Sequence, residues 1–232
     1  MKTRKELIAQ RDPKSPISEV FRTLRTNIQF MDTSKKMKTL LLTSTFPGEG
    51  KSWVSSNLAV TFAQAGKKVI LIDADMRKGY THKLFNQNNE NGLSDILVGN
   101  IESSKAIKRI ISADFDYISR GMVPPNPAEL LMHRRFGELI SWASANYDIV
   151  VLDTPPILAV TDAAVIGHYV GTTLLVARFE ENTVKEIDFT IKRFENAGIA
   201  VKGCILNGVV KKASSYYGYG YSHYGYSYKD NK

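Results

Sequence analysis

A single cysteine, Cys204, in 232 residues rules out a disulfide framework within the chain and fits a reducing compartment. It sits in an apolar run, where it reads as a small packed hydrophobe rather than a reactive thiol. No apolar run is long enough to cross a bilayer, and the first residues carry no signal-peptide pattern. There is no internal repeat. No groove-reading motif accompanies the net charge of +8, so nucleic acid is not an expected partner. The positive charge is instead dense at Lys2, Arg4, Lys5, Arg11 and Lys14, a basic leader over residues 1–15 that suits a place beneath an anionic membrane leaflet.

What is there points to one core. A hydrophobic content of 43% in a chain of this length supplies a single domain, and apolar strands alternating with helical stretches predict an α/β fold, doubly wound around a mainly parallel sheet, over residues 16–212. Strands are expected at 39–43, 69–72, 116–118, 149–152, 172–177 and 201–206, with helices at 17–31, 184–197 and 128–145. The stiff loop from Val123 to Pro127 leads into the last of these.

The first apolar strand runs into Ser44-Thr45-Phe46-Pro47-Gly48-Glu49-Gly50-Lys51-Ser52, and a helix follows, with Val54, Leu58, Phe62 and Ala65 at helical spacing until Gly66. A backbone turned at two glycines aims several N–H groups into one hollow, and the positive end of the following helix makes that hollow attractive to phosphate. The usual pattern, G-x-x-x-x-G-K-[ST], has glycine where this chain has Thr45, so Gly48, Glu49, Gly50, Lys51, Ser52 and Trp53 carry the reading of a P-loop for a nucleoside triphosphate. Lys51 supplies a point charge between the outer phosphates, and the Ser52 hydroxyl is a ligand for Mg2+. A glycine turn with a merely solvated lysine is the bland alternative, and the acids downstream weigh against it.

The strand ending at Ile72 runs into Asp73-Ala74-Asp75-Met76-Arg77, and the strand ending at Leu152 runs into Asp153-Thr154-Pro155-Pro156. In a parallel sheet all carboxyl ends open on one edge, which brings these acids toward the P-loop phosphates. Magnesium takes oxygen ligands and keeps waters, so Ser52, Asp75 and Asp153 suffice to hold it. Asp73 is then left to accept a proton from an incoming hydroxyl. Lone aspartates at strand ends more often cap or turn the chain, but two such strands after a P-loop favour the functional reading. Asn207 ends a strand on the same edge and is a candidate to bond the purine, with a turn asparagine nearly as good a description.

Seven of the 11 tyrosines, Tyr216, Tyr217, Tyr219, Tyr221, Tyr224, Tyr226 and Tyr228, crowd the last stretch. Residues 213–232 interleave them with glycine and serine and have no aliphatic face, a composition that predicts a flexible, disordered tail. Free phenols on a mobile tail are candidate acceptors for a transferred phosphoryl group, with a carboxylate as base.

Taken together, the P-loop at Gly48 to Ser52, D-x-D-x-R at Asp73 to Arg77, D-x-x-P at Asp153 to Pro156 and the terminal tyrosine cluster resemble the bacterial tyrosine kinases that accompany capsule and exopolysaccharide export. The resemblance implies a P-loop NTPase type of fold, ATP with Mg2+, and autophosphorylation of the tail, in trans within a ring. It also implies that Glu19, Arg22 and Arg25, matching E-x-x-R-x-x-R, form the contact between subunits. Val20, Leu24, Ile28 and Met31 give that helix an apolar stripe, and an ordinary surface helix would look the same. The implied partners are further copies of the chain, a membrane-spanning co-polymerase region or adaptor outside this sequence, and a cognate tyrosine phosphatase. The implied location is the cytoplasmic face of the bacterial inner membrane.

Two rival functions fit the P-loop. A partitioning or septum-site ATPase carries an extra lysine five positions before the P-loop lysine, where this chain has Phe46, and has no use for the tyrosine tail. A non-catalytic ATP-binding scaffold with an aromatic tail is the other.

Overall fold

The computed structural model describes residues 7–31 and 38–209. Helices α1 (Ile8–Arg11) and α2 (Pro16–Met31) precede β1 (Thr39–Ser44), α3 (Lys51–Gln64) and β2 (Val69–Asp73). Then come α4 (Thr81–Leu84), α5 (Leu93–Val98), β3 (Lys108–Ile110), β4 (Phe115–Ile118), α6 (Pro127–Met132) and α7 (Arg134–Asn146). The remaining elements are β5 (Ile149–Asp153), α8 (Asp162–Gly167), β6 (Thr172–Arg178), α9 (Val184–Asn196) and β7 (Val201–Asn207). Among the described residues, seven strands form one sheet in the order β3-β4-β2-β5-β1-β6-β7. All pairings are parallel except the antiparallel edge pair β3–β4.

Period-two alternation in the central strands divides the core in two. Leu40 and Leu42 of β1 and Val69 and Leu71 of β2 pack toward α1, α2 and α3. Leu41, Ile70 and Ile72 pack on the other face toward α5, α6, α7 and α8. Strands buried on both faces read as unbroken apolar runs, which is why β1, β2 and β5 are legible in the sequence. Because β1 and β2 both pair with β5, their carboxyl ends adjoin. Asp73 stands opposite Asp153, and Leu42 stands opposite the same aspartate.

Helix α3 is buried on nearly every side, between the sheet and the two amino-terminal helices. Its polar residues survive there by bonding back to the helix: Ser55 Oγ donates to Lys51 O at 3.0 Å, and Ser56 Oγ to Ser52 O at 2.7 Å.

Several expectations need correction. The basic leader is not separate over its described part: Leu7, Ile8 and Ala9 are buried in the main core. The single helix expected at 128–145 is two, because His133 is extended (φ −68°, ψ 143°) and caps α7, its side chain accepting from Arg135 N at 3.4 Å. The burial pattern carries the break, since Leu131 and Phe136 are five apart rather than three or four. On α2, Leu24 and Ile28 of the expected stripe pack on the core together with Phe21, while Val20 and Met31 at its two ends are exposed. Cys204 is exposed rather than packed, because β7 is an outer strand covered on one side only. Strand β3, three residues long and mostly polar, had no apolar signal to reveal it. The tyrosine-rich stretch 213–232 lies outside the described residues.

Candidate active site

The loop between β1 and α3 turns at Gly48 (φ +93°) and Gly50 (φ +89°), conformations that L side chains rarely adopt. A Cβ on Gly50 would also fall 2.1 Å from Asn207 Nδ2. That amide donates to Glu49 O at 2.8 Å, so the end of β7 buttresses the loop from behind. The Glu49 side chain turns inward. It accepts from Thr45 N at 2.8 Å and from Asn182 Nδ2 in the turn after β6. Burial pushes its carboxyl above the usual range against the pull of these bonds. Thr45 is not among the described residues with positive φ, so its backbone has no need of glycine, and its hydroxyl meets Thr190 at 3.2 Å. The departure from the usual motif is thereby accommodated.

Beneath the loop, Lys51 Nζ donates to Asp153 Oδ1 at 2.9 Å, and Ser55 Oγ lies 3.3 Å from the same oxygen, sharing its one proton between it and Lys51 O. Burial alone would lower the Lys51 pKa, but Asp153, Asp75 and Asp73 outweigh it and the pKa is raised, keeping the ammonium charged. Asp153 Oδ2 is buried with no hydrogen-bond partner among the described residues. Asp75 Oδ1 accepts from Lys78 N at 2.9 Å and Arg77 N at 3.3 Å, which ties the turn after β2. Arg77 is aimed by a bidentate pair with the buried Asp162, at 3.0 and 3.1 Å, and Arg120 Nε donates to Gly79 O at 2.9 Å.

A cavity of about 850 Å3 opens over these groups. Gly48, Glu49, Gly50, Lys51, Ser52 and Trp53 form one wall, Asp75, Arg77, Lys78 and Tyr80 a second, and Arg178 and Asn207 a third. Asp73 is not on it. Its carboxylate is fully buried, with Oδ1 accepting from Asp75 N at 3.3 Å and Oδ2 from Thr81 N at 3.3 Å and from the Thr81 hydroxyl. Thr81 Oγ1 in turn lies 2.9 Å from the buried Tyr117 OH. The proton-accepting role expected of Asp73 therefore meets a steric obstacle in this conformation, and Asp75 is the carboxylate presented to the cavity. Burial, then the nearby Asp153, push Asp73 up to about 7. Thr81→Val removes the hydroxyl from this buried carboxylate and is expected to lower stability by about 2 kcal/mol; urea denaturation beside Thr81→Ser, which keeps the bond, checks it.

Glu19 and Arg22 pair with each other along α2 at 2.6 Å, whereas Arg25 turns back and donates to Thr61 O of α3 at 2.8 Å. The three therefore do not form one free face. Asn182, Asp162, Thr81 and Arg178 were not singled out as site residues from the sequence. Asp162 meets Arg77 across 85 positions and Asn182 meets Glu49 across 133, so no local pattern marks these two.

The AAA domain family matches residues 37–197. The kinase domain of the Escherichia coli tyrosine kinase ETK shares the fold with a TM-score of 0.86 and 50% sequence identity, over 93% of this chain and 84% of that one. This chain belongs to the bacterial tyrosine-kinase family of polysaccharide export. A second similar structure, that of the chimerical protein CapA2B2, is 39% identical with a TM-score of 0.84, over 88% of this chain and 90% of that one. The tyrosine-protein kinase wzc of Salmonella typhimurium is 51% identical over 95% of this chain but only 31% of its own length. The chain thus spans less than a third of that curated relative.

Among the described residues no cluster of three or more His, Cys, Asp or Glu side chains closes around an ion. A bacterial tyrosine kinase does not need one, because Mg2+ arrives with the phosphates and takes most of its ligands from them and from water. Asp153 Oδ2 is an oxygen left for such an ion, and Lys51 Nζ, 2.9 Å from Asp153 Oδ1 and 3.3 Å from Ser52 Oγ, brings Ser52 beside it. No described helix is long and apolar enough to cross a membrane.

Proposed function

We propose that this chain is an ATP-dependent protein-tyrosine autokinase that phosphorylates its own terminal cluster, Tyr216 to Tyr228, in trans within a ring, and thereby regulates capsule or exopolysaccharide polymerisation and export. The observation that carries the proposal is the meeting of Lys51, Asp153 and Asp75 under a P-loop in a chain of this family. The backbone N–H groups of Gly48 to Ser52 cradle the phosphates, and Lys51 moves from Asp153 toward the outer ones. Ser52, Asp75 and Asp153 would hold Mg2+, which supplies charge neutralisation and in-line alignment. Asp75 faces the ion at the cavity wall, while Asp73 anchors it by accepting from the Asp75 backbone N–H. Asn207 and Trp53 bound the nucleoside side. Glu19, Arg22 and Arg25 join copies of the chain, Arg25 acting by fixing α2 on α3. A membrane-spanning co-polymerase region or adaptor and a cognate phosphatase complete the system at the inner face of the inner membrane.

Incubation with γ-labelled ATP and magnesium tests the reading. Label on the tail tyrosines, located by mass spectrometry and lost when all seven are changed to phenylalanine, is the expected outcome. Phosphate release without labelled protein would support a partitioning-type ATPase instead, and neither product would support a scaffold.

A further inference from the structure

The segment before α2 is built into the catalytic helix although it lies outside the residues that the AAA domain family matches. Ala9 N donates to Asn57 Oδ1 at 3.0 Å, and Asn57 Nδ2 donates to Trp53 O at 2.9 Å. One amide therefore clasps α1 to the first turn of α3. About two turns further along, Gln64 Nε2 donates to Ala9 O at 2.8 Å, so Ala9 is held through both backbone groups. Phe21 of α2 closes on the Trp53 ring edge-on at 5.2 Å between centroids. Arg11, two residues past the clasped alanine, is an exposed residue and lines the nucleotide cavity. Its own N–H is fixed to Leu7 O at 2.9 Å.

We infer that Arg11 is a nucleotide-binding residue, a cation delivered from outside the P-loop to the inner phosphates, and that α1 docking and nucleotide binding stabilise each other. The position decides which phosphates. Arg11 is tied to α3 through the Trp53 turn, and the N-terminal turn of a P-loop helix meets the phosphates nearest the nucleoside, whereas the P-loop lysine, here Lys51, reaches the outer ones. Arg11 should therefore hold ADP as well as ATP, in contrast to a group that senses the γ-phosphate. Because Ala9 and Arg11 sit on one short turn, whatever pulls the leader off α3 also withdraws this cation. Binding energy is reciprocal, so nucleotide should in turn hold the leader down.

The inference rests on the proposed nucleotide site, and the test separates the two. Binding of mant-ADP and mant-AMPPNP with magnesium chloride is measured on the full chain by fluorescence, which requires no tyrosine transfer. Arg11→Ala is expected to weaken both nucleotides about tenfold, the loss of one partly exposed charge-assisted hydrogen bond. Arg11→Lys should retain part of the affinity, and Asn57→Ala should weaken both nucleotides although Arg11 is intact. Amide exchange at Arg11 and Asp12, whose N–H groups bond to Leu7 and Ile8 carbonyls, should slow when mant-ADP is added. Arg11→Ala binding both nucleotides within twofold of a wild type that binds them overturns this inference alone. A loss confined to mant-AMPPNP also overturns it, because Arg11 would then face the γ-phosphate. A wild type that binds neither nucleotide overturns the proposed site and this inference with it.

Discussion

Lys51→Met is expected to abolish tail labelling, by about 10²- to 10³-fold, because it removes a preorganised charge aimed where negative charge shifts during phosphoryl transfer. The same change should destabilise the nucleotide-free fold. Lys51 and Asp153 are both buried and paired at 2.9 Å, and deleting the cation leaves Asp153 with Ser55 and a neighbouring Asp73 across the strand pair. Breaking a buried pair from one side costs about 3–5 kcal/mol. The double variant Lys51→Met/Asp153→Asn removes the stranded charge, so it should recover most of the lost stability and none of the activity. Urea denaturation of the two variants and phosphotyrosine detection on the same samples provide the test. Labelling within tenfold of wild type would remove Lys51 from the transfer machinery, and a double variant no more stable than the single would mean that the ion pair is not the origin of the loss.

The parts of this molecule legible from sequence are those where a local pattern and a global role coincide. Strands β1, β2 and β5 are apolar runs because helices cover both faces, and each leads into proposed site residues, Gly48 to Ser52, Asp73 to Arg77 and Asp153. Depth is a different matter. A strand-end aspartate can face a cavity or lie under its floor, and nothing in Asp73-Ala74-Asp75 tells which of the two acids is presented. The third coordinate comes from Thr81, Tyr117 and Gly79, where a Cβ on the glycine would lie 2.3 Å from Asp73 Oδ1. The same limit explains Glu49, whose turn into the protein depends on Asn182, 133 residues away. Leader residues Leu7, Ile8 and Ala9 are three apolar side chains in a basic stretch, too few for a periodic signal, yet they dock because Asn57 and Gln64 offer hydrogen bonds to an otherwise orphaned backbone. Edge strands fail for the opposite reason, since β7 carries the apolar composition of a core strand but leaves Cys204 and Leu206 exposed.

Asp153→Asn should uncouple nucleotide binding from magnesium. The carboxylate uses one oxygen for Lys51 and Ser55 and leaves Oδ2 buried without a partner, an arrangement that costs free energy unless a cation or its water completes it. An asparagine keeps an acceptor for Lys51 but sets an NH2 group in place of Oδ2, so a donor now points where a cation requires an acceptor. The apo fold should lose up to about 3 kcal/mol, because the Lys51 ammonium keeps an acceptor and the nearby charges of Asp75 and Asp73 but loses its buried counter-charge. Loss of the Asp153 charge also relieves Asp73, whose raised pKa owes its second-largest contribution to that neighbour, and its pKa should move down toward the ordinary carboxylate range. Wild-type protein should bind ATP more tightly and melt at a higher temperature when magnesium is added, by the mass action of a ligand that favours the folded state. In Asp153→Asn the affinity without metal should stay within about threefold of wild type. Its increase with magnesium should vanish, and transfer should fall about 10²-fold or more. Calorimetric titration of ATP with and without magnesium, beside Asp75→Asn as a second ligand variant, measures this directly. An unchanged magnesium dependence in Asp153→Asn would mean that the orphaned oxygen has another purpose, and that Ser52 and Asp75 alone receive the ion.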